Sequence, residues 1–406
     1  RARFFLTDKR SGGGDWPCLS GVTRELAECF VTPRCDEAAG CPLARGSLRS
    51  TEGDNALRKQ GSHKEQPAMV YGAIDLHMRF SQIRIVDADG TIVRECRIVT
   101  SRPQLVKAFA DGGPLRILVE ASTESEWVAQ ALESVGHEVV VADPNFAPMY
   151  GERQRRIKTD LRDVAALAEA NRRGWYRPTY RVARAQRTLR QQLGVRRQLV
   201  RARTAMIAQL RALLRQEGLR LAGGHSSTLI ARVARLDVPP TLRAVIAPLV
   251  EALQSLTAVI NQTTQRLTAA AASDPVAVRL HTVPGVGPLV ALTYRATLDE
   301  ATRFARAGQV SSALGLVPRE ASSGERRHRG RITKVGPSDT RAVLVQAAWC
   351  CWRSRTFRTT ALRQWVDQLA ARRGKRIAIV ALARRLSRIL YAVWRDATVC
   401  RLSPAA

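Results

Sequence analysis

Ile157-Lys158-Thr159-Asp160-Leu161-Arg162-Asp163-Val164-Ala165-Ala166-Leu167-Ala168-Glu169-Ala170 reads as a helix that is acidic at its start and apolar along one side. Leu161, Val164, Ala165, Leu167 and Ala168 recur at helical spacing, which predicts a half-buried helix. Asp160 and Asp163, three residues apart, share one face of it. That pair is half of a possible divalent-metal site. The other half has to come from elsewhere in the chain.

Upstream the pattern changes to strands: Met69 to Asp75, Gln82 to Val86 and Thr91 to Ile98, the last two joined by the Asp-Gly-type hairpin Asp87-Ala88-Asp89-Gly90. A short helix from about Arg102 to Ala110 precedes a buried-type strand, Leu115 to Glu120. An amphipathic helix through Trp127, Ala131 and Leu132 then leads to the strand Glu138 to Asp143, which Pro144 closes. Three antiparallel strands followed by alternating helix and strand is the element order of a ribonuclease-H-like domain.

In that topology Asp75 ends the first strand and Glu120 the central one, both beside the start of the Asp160–Asp163 helix. Four clustered carboxylates cannot all stay ionised without cations. Hard oxygen ligands suit Mg²⁺ or Mn²⁺, ions that bridge phosphate oxygens and assist phosphodiester transfer. Asp87 and Asp89 are assigned to the hairpin turn and Asp143 to a strand end before proline; Glu169 is a reserve ligand.

Downstream, Arg177 to about Arg220 reads as a long basic helix with Leu189, Leu193, Val200, Met206, Leu210 and Leu214 on its apolar side. A second helix runs from about Pro240 to Ala272, so the middle of the chain is expected to be an antiparallel, coiled-coil-like arm. After it, Leu280 to Leu292 contains Pro284-Gly285-Val286-Gly287, a tight turn between two helices. Gly285 and Gly287 would let backbone amides approach a phosphate, the helix-hairpin-helix pattern of backbone binding; a bland helix-loop-helix turn is the alternative.

Ala313 to Gly336 is a glycine-punctuated loop carrying Arg319, Arg326, Arg327, Arg329, Arg331 and Lys334 around Ser322-Ser323-Gly324. Such cations would hold a phosphate and stabilise charge developing on it, as a serine nucleophile requires; His328 is the nearest base. A serine before glycine is otherwise a turn residue. Trp349, Trp352, Trp365 and Trp394 in the closing helices read as core.

Composition narrows the partners. The 406 residues carry 65 Lys and Arg against 35 Asp and Glu, a net charge of +30, more than solubility requires and suited to DNA or RNA. No uninterrupted apolar run of about 18 residues and no cleavable leader is evident, so no membrane partner is expected and the expected location is intracellular. The eight cysteines lack CxxC spacing and read as reduced thiols. Residues 1–67, rich in Gly, Ser and charge and without periodicity, read as an appended or poorly ordered leader.

With these residues in view, the chain from about Val70 to Ala392 resembles the transposases of the insertion-sequence "one-ten" family, the DEDD recombinases of bacterial mobile elements. The resemblance is carried by Ala73-Ile74-Asp75-Leu76-His77, Val119-Glu120-Ala121-Ser122, Lys158 to Asp163, Pro284 to Gly287, and Gly315-Leu316-Val317-Pro318-Arg319 with Ser322-Ser323-Gly324, Gly330 to Lys334, Gly336 and Arg341. It implies a Holliday-junction-resolvase-like, ribonuclease-H-like domain at 68–176, a helical coiled-coil arm at 177–273, and a mainly helical C-terminal transposase domain with the helix-hairpin-helix element and the serine loop at 274–406. It further implies that Asp75, Glu120, Asp160 and Asp163 hold Mg²⁺ or Mn²⁺ and that Ser323 is the nucleophile, with Ser322 the adjacent alternative. Donor and target DNA, a guide (bridge) RNA, a homo-oligomer (dimer or tetramer) and a cytoplasmic, nucleoid-associated location in a bacterium complete what it implies. Two other readings remain open from the residues: a metal-dependent nuclease or junction resolvase using water, with Ser323 structural, and a nucleic-acid-binding protein without catalysis.

Overall fold

The structure, a computed structural model, describes residues 70–402 apart from 112, 152–158 and 322–327. The leader with Cys18, Cys29, Cys35 and Cys41 therefore lies outside the described residues, as do Ser322, Ser323, Arg326 and Arg327.

A five-stranded sheet opens the described chain. Strands β1 (Tyr71–Leu76), β2 (Phe80–Val86) and β3 (Ile92–Val99) form an antiparallel meander. The chain then passes through α1 (Arg102–Ala108), β4 (Arg116–Glu120), α2 (Ser125–Glu133) and β5 (Glu138–Ala142), and β1, β4 and β5 pair in parallel. The spatial order is β3-β2-β1-β4-β5. Antiparallel neighbours need only a hairpin, whereas the parallel ones need crossovers, which α1 and α2 supply.

The sheet is apolar on both faces. Ile74, Ile83, Ile117, Val119 and Val141 pack with Leu105, Phe109, Val128 and Leu132 from the α1–α2 side. Ala73, Leu118 and Ala142, alternating with them along the strands, meet α3 (Asp160–Arg173) through Val164, Leu167 and Ala168. Buried Asn171 fixes α3 in place: its Nδ2 donates to the carbonyls of Gly72 and Arg116, each at 2.8 Å, bridging β1 and β4. At the other end Thr159 caps the helix, its Oγ1 accepting the Arg162 N–H at 3.4 Å. The acids at the start of α3 are thus held in register with the strand ends.

Residues 177–179 run along β5: the N–H of Asp143 donates to the Arg177 carbonyl and the N–H of Thr179 to the Val141 carbonyl. Then come α4 (Arg184–Gln216), α5 (Leu229–Ala234) and α6 (Pro240–Ser273). Leu210 and Leu214 of α4 pack with Ile246 and Leu253 of α6, and farther along Arg196 donates to Thr264 at 2.7 Å. The two helices therefore run antiparallel.

By length and composition α6 is long and apolar enough to cross a membrane, the single such helix among the described residues, with a mean hydropathy of 1.5 over its best window. It holds no uninterrupted apolar run of about 18 residues, as expected from the sequence. Pro248, Glu251, Gln254, Ser255 and Thr257 interrupt the run, but Glu251 is the one charge between Ala244 and Ile260, so the average stays high. The buried positions of α6, Ile246, Leu253, Ile260 and Leu267, fall seven apart, as in a helix seated on other helices.

The remaining elements are α7 (Pro275–His281), α8 (Pro288–Leu298), α9 (Ala307–Ala313), β6 (Pro318–Glu320), β7 (Arg329–Ile332), α10 (Ser338–Arg353), α11 (Ala361–Arg373) and α12 (Lys375–Arg395). Their core gathers around α12, where Leu382, Leu386 and Leu390 meet Leu280, Leu292, Leu344 and Phe357. Trp394 belongs to this core, and Trp349, Trp352 and Trp365 pack against it. Cys96, Cys350, Cys351 and Cys400 are free thiols. In sum, a mixed α/β sheet unit precedes a mostly helical remainder.

Candidate functional site

The acidic site is built where β1, β4 and α3 end together. Parallel pairing of Ile74 with Val119 puts Asp75 and Glu120 at adjacent strand ends. The cap at Thr159 starts α3 so that Asp160 points to the same place. A ligand atom from each of Asp75, His77 and Asp160 lies within 4.8 Å of the others. His77 Nε2 stands 3.3 Å from Asp75 Oδ2 and 3.7 Å from Asp160 Oδ1.

Asp163, one turn along α3, is 6% exposed. Burial pushes the Asp75 carboxyl above its ordinary value; His77 opposes that, and the negative charges of Asp163 and Asp160 reinforce it. Of the four expected acids, then, Asp75 and Asp160 converge, Asp163 acts electrostatically on Asp75, and Glu120 occupies the neighbouring strand end outside the set of three.

This donor set fits a divalent cation. Hard carboxylate oxygens face one another in a space a few ångströms wide, and a cation there would favour the ionised form that burial and like charge disfavour in Asp75. Glu169, the reserve ligand, is engaged by Arg172 at 2.6 Å and by Arg173. Asp87 accepts the N–H groups of Asp89 and Thr91 in the hairpin, as expected of a turn residue.

Sequence reasoning gave His77 no role. The available signal was its spacing: residues i and i+2 of an extended segment point to the same side, so His77 follows Asp75 onto the same face.

In sequence, Ser322 and Ser323 lie between the strands of a small two-stranded ribbon, where a glycine-punctuated loop was expected. Pro318 pairs with Ile332 and Glu320 with Arg329, and the N–H of Ala321 donates to the His328 carbonyl at 3.0 Å. Arg319, Arg331 and Lys334 are exposed on it. The base is clamped by Arg341, whose Nη1 lies 2.8 Å from the Val335 carbonyl, 2.9 Å from that of Gly336 and 3.2 Å from that of Leu314. Gly315 has φ +64, and a Cβ there would come within 2.1 Å of the Val335 carbonyl oxygen, so only glycine permits this crossing.

The two glycines of the α7–α8 turn have different surroundings. At Gly285, φ is +80 and a Cβ would lie 2.5 Å from the Ala347 carbonyl oxygen and the Cys351 nitrogen, so this residue packs the turn against the backbone of α10. Gly287 caps α8 and has no atom within 4 Å of its Cβ position; it is the one left open to an approaching group.

Known proteins bear on this arrangement. Residues 73–218 match the DEDD transposase model of the IS110 group, and residues 277–362 match the model described as transposase IS116/IS110/IS902 family. The chain is 30% identical over 334 residues to a Pseudomonas aeruginosa protein named "probable family 20 transposase", covering 81% of this chain and 97% of that one. It is 28% identical over 325 residues to the transposase for insertion sequence element IS1111A of Coxiella burnetii, covering 79% and 88%. It is 26% identical over 337 residues to the transposase for IS1328 of Yersinia enterocolitica, covering 82% and 99%. Acid-bearing strand ends and helix start fall inside one matched region and the serine-loop ribbon inside the other, and the chain belongs to the IS110/IS116 family of transposases.

Proposed function

We propose that this transposase cuts and rejoins donor and target DNA through a covalent bond to Ser323, assisted by Mg²⁺ or Mn²⁺ held by Asp75, Glu120, Asp160 and Asp163. The observation that carries the proposal is the convergence of Asp75 and Asp160, from separate elements, to metal-binding distance. The strand order, an antiparallel meander continued by parallel strands, supports a ribonuclease-H-like, Holliday-junction-resolvase-like domain over 68–176. The antiparallel α4–α6 pair, with its heptad-spaced core, supports a coiled-coil arm over 177–273 that joins protomers, followed by the transposase domain proper.

A bound divalent cation supplies positive charge against the phosphate oxygens and orients them. The exposed cations Arg319, Arg331 and Lys334, with Arg326, Arg327 and Arg329, hold the phosphodiester beside Ser323. Ser323 Oγ forms a bond to phosphorus while the bond from phosphorus to one sugar oxygen breaks. The Oγ proton passes to His328, and the departing sugar oxygen takes up a proton to leave as a hydroxyl. Attack by a hydroxyl of the second DNA reverses the step, rejoining the strands and releasing the serine. The net charge of +30 suits polyanions in general, and the guide RNA rests on the family resemblance alone.

Denaturing gel analysis of labelled DNA incubated with protein tests the nucleophile. Wild type and Ser322→Ala are expected to form a covalent adduct and Ser323→Ala none. Cleavage to free ends with full activity in Ser323→Ala would instead establish water as the nucleophile.

A further inference from the structure

His77 stands among the acids, yet no carboxylate chemistry requires it. Its backbone is pinned from the end of β3: the Thr100 hydroxyl donates to the His77 carbonyl at 2.7 Å, and the Thr100 N–H donates to the Arg79 carbonyl at 2.9 Å. The imidazole itself is 55% exposed and presents Nε2 to both Asp75 and Asp160, which come from different elements. A hydrogen bond to one carboxylate would need only the first of these approaches.

The spacing matches coordination. Around a common octahedral centre with bonds of about 2.1 Å, adjacent donor atoms stand about 3.0 Å apart and opposite ones about 4.2 Å. The observed separations of 3.3 and 3.7 Å, with all three donors inside 4.8 Å, fall in or near that range. Small side-chain adjustments would bring the three atoms onto one ion.

We infer that His77 Nε2 is a ligand of the same cation as Asp75 and Asp160, making the centre a mixed nitrogen–oxygen site. This rests on the acid cluster being a cation site, as proposed above. The chemical consequence is selectivity. Mg²⁺ is a hard ion that favours oxygen and water; Mn²⁺ also takes oxygen ligands but accepts an imidazole more readily than Mg²⁺ does, so the site favours Mn²⁺ over Mg²⁺.

The test uses the full chain and Mn²⁺ alone, read by pulsed electron paramagnetic resonance and by calorimetric titration of Mn²⁺ and Mg²⁺. Wild type is expected to show a ¹⁴N coupling of directly bound imidazole. His77→Ala should lose that coupling and weaken Mn²⁺ binding about tenfold or more, with Mg²⁺ binding changed less than about threefold. Circular dichroism should show the variant folded, because the side chain is exposed. Mn²⁺ binding by wild type without a nitrogen coupling, or a coupling that persists in His77→Ala, would overturn the inference. Loss of binding in Asp75→Asn in that same experiment would leave the acid-cluster reading standing. Absence of Mn²⁺ and Mg²⁺ binding in wild type would overturn both.

Discussion

The Tyr180 hydroxyl donates to Asp299 Oδ2 at 2.8 Å, joining the segment before α4 to the turn after α8. The same oxygen accepts the N–H of Ala183 at 2.8 Å, so one carboxylate, 2% exposed, holds the start of α4 at two points. Asp299 adopts φ 66 and ψ −60, and the N–H of Glu300 donates to the Leu298 carbonyl at 2.8 Å, a γ-turn that is strained for a non-glycine residue. Burial, followed by this hydrogen bond, pushes the Tyr180 phenol above its ordinary value.

Tyr180→Phe removes one of two donors to a buried carboxylate. A loss of about 1–2 kcal/mol in denaturant-unfolding stability is expected. Unchanged stability would mean that the Ala183 N–H alone satisfies Asp299.

Arg181 ties the same segment back to the sheet unit. It donates to Glu126 Oε2 at 3.0 Å and Oε1 at 3.1 Å, and also reaches Glu133. Burial alone would raise the Glu126 carboxyl, but the Arg181 hydrogen bonds and the charges of Arg181 and Arg187 bring it below its ordinary 4.5. A carboxylate with a lowered folded pKa contributes stability that is present above the ordinary value and lost as the pH falls through the folded one. Wild type should therefore lose stability below about pH 4.5. Arg181→Ala should cost about 2 kcal/mol at pH 7 and flatten that acid limb, as measured by thermal unfolding across pH.

The turn glycines separate folding from binding. Gly285→Ala places a methyl against the α10 backbone at a positive φ and should destabilise by about 3 kcal/mol or more, read as a lowered unfolding midpoint. Gly287→Ala meets nothing and should leave the fold intact. If the amides at this turn receive a phosphate, that second variant should weaken DNA binding severalfold in a filter or anisotropy assay. Full binding would reduce the turn to a packing device.

Arg341→Ala should loosen the base of the serine loop, since three carbonyls lose their common donor. The expected result is a tenfold or greater fall in strand joining with a stability loss of about 1–3 kcal/mol. Wild-type joining in a folded variant would show that the clamp does not position the loop.

How far the sequence revealed these features depends on how local each one is. Strands β1 to β5 and helix α3 announce themselves through alternation and helical spacing, both properties of a few adjacent residues. That Asp75 and Asp160 converge also followed from element order, because strand ends in a sheet of this kind are neighbours. The β6–β7 ribbon did not show, since strands of three and four residues rich in Arg, Pro and Gly have no apolar alternation. The packing role of Gly285 depends on α10, more than fifty residues away, and no local pattern encodes it. His77 was legible in principle from its i+2 relation to Asp75, but its second neighbour, Asp160, belongs to another element.

The central claim is that the acids and the serine act as one centre. It is tested most directly by mass spectrometry of the peptide spanning Ser322 and Ser323 after reaction with DNA, in wild type, Asp75→Asn and Asp160→Asn, with and without a chelator. The account predicts a nucleotide attached to Ser323 in wild type with cation present, and none with chelator or in either acid variant. An adduct of equal yield in Asp75→Asn, or cleaved DNA with no adduct in wild type, would contradict it.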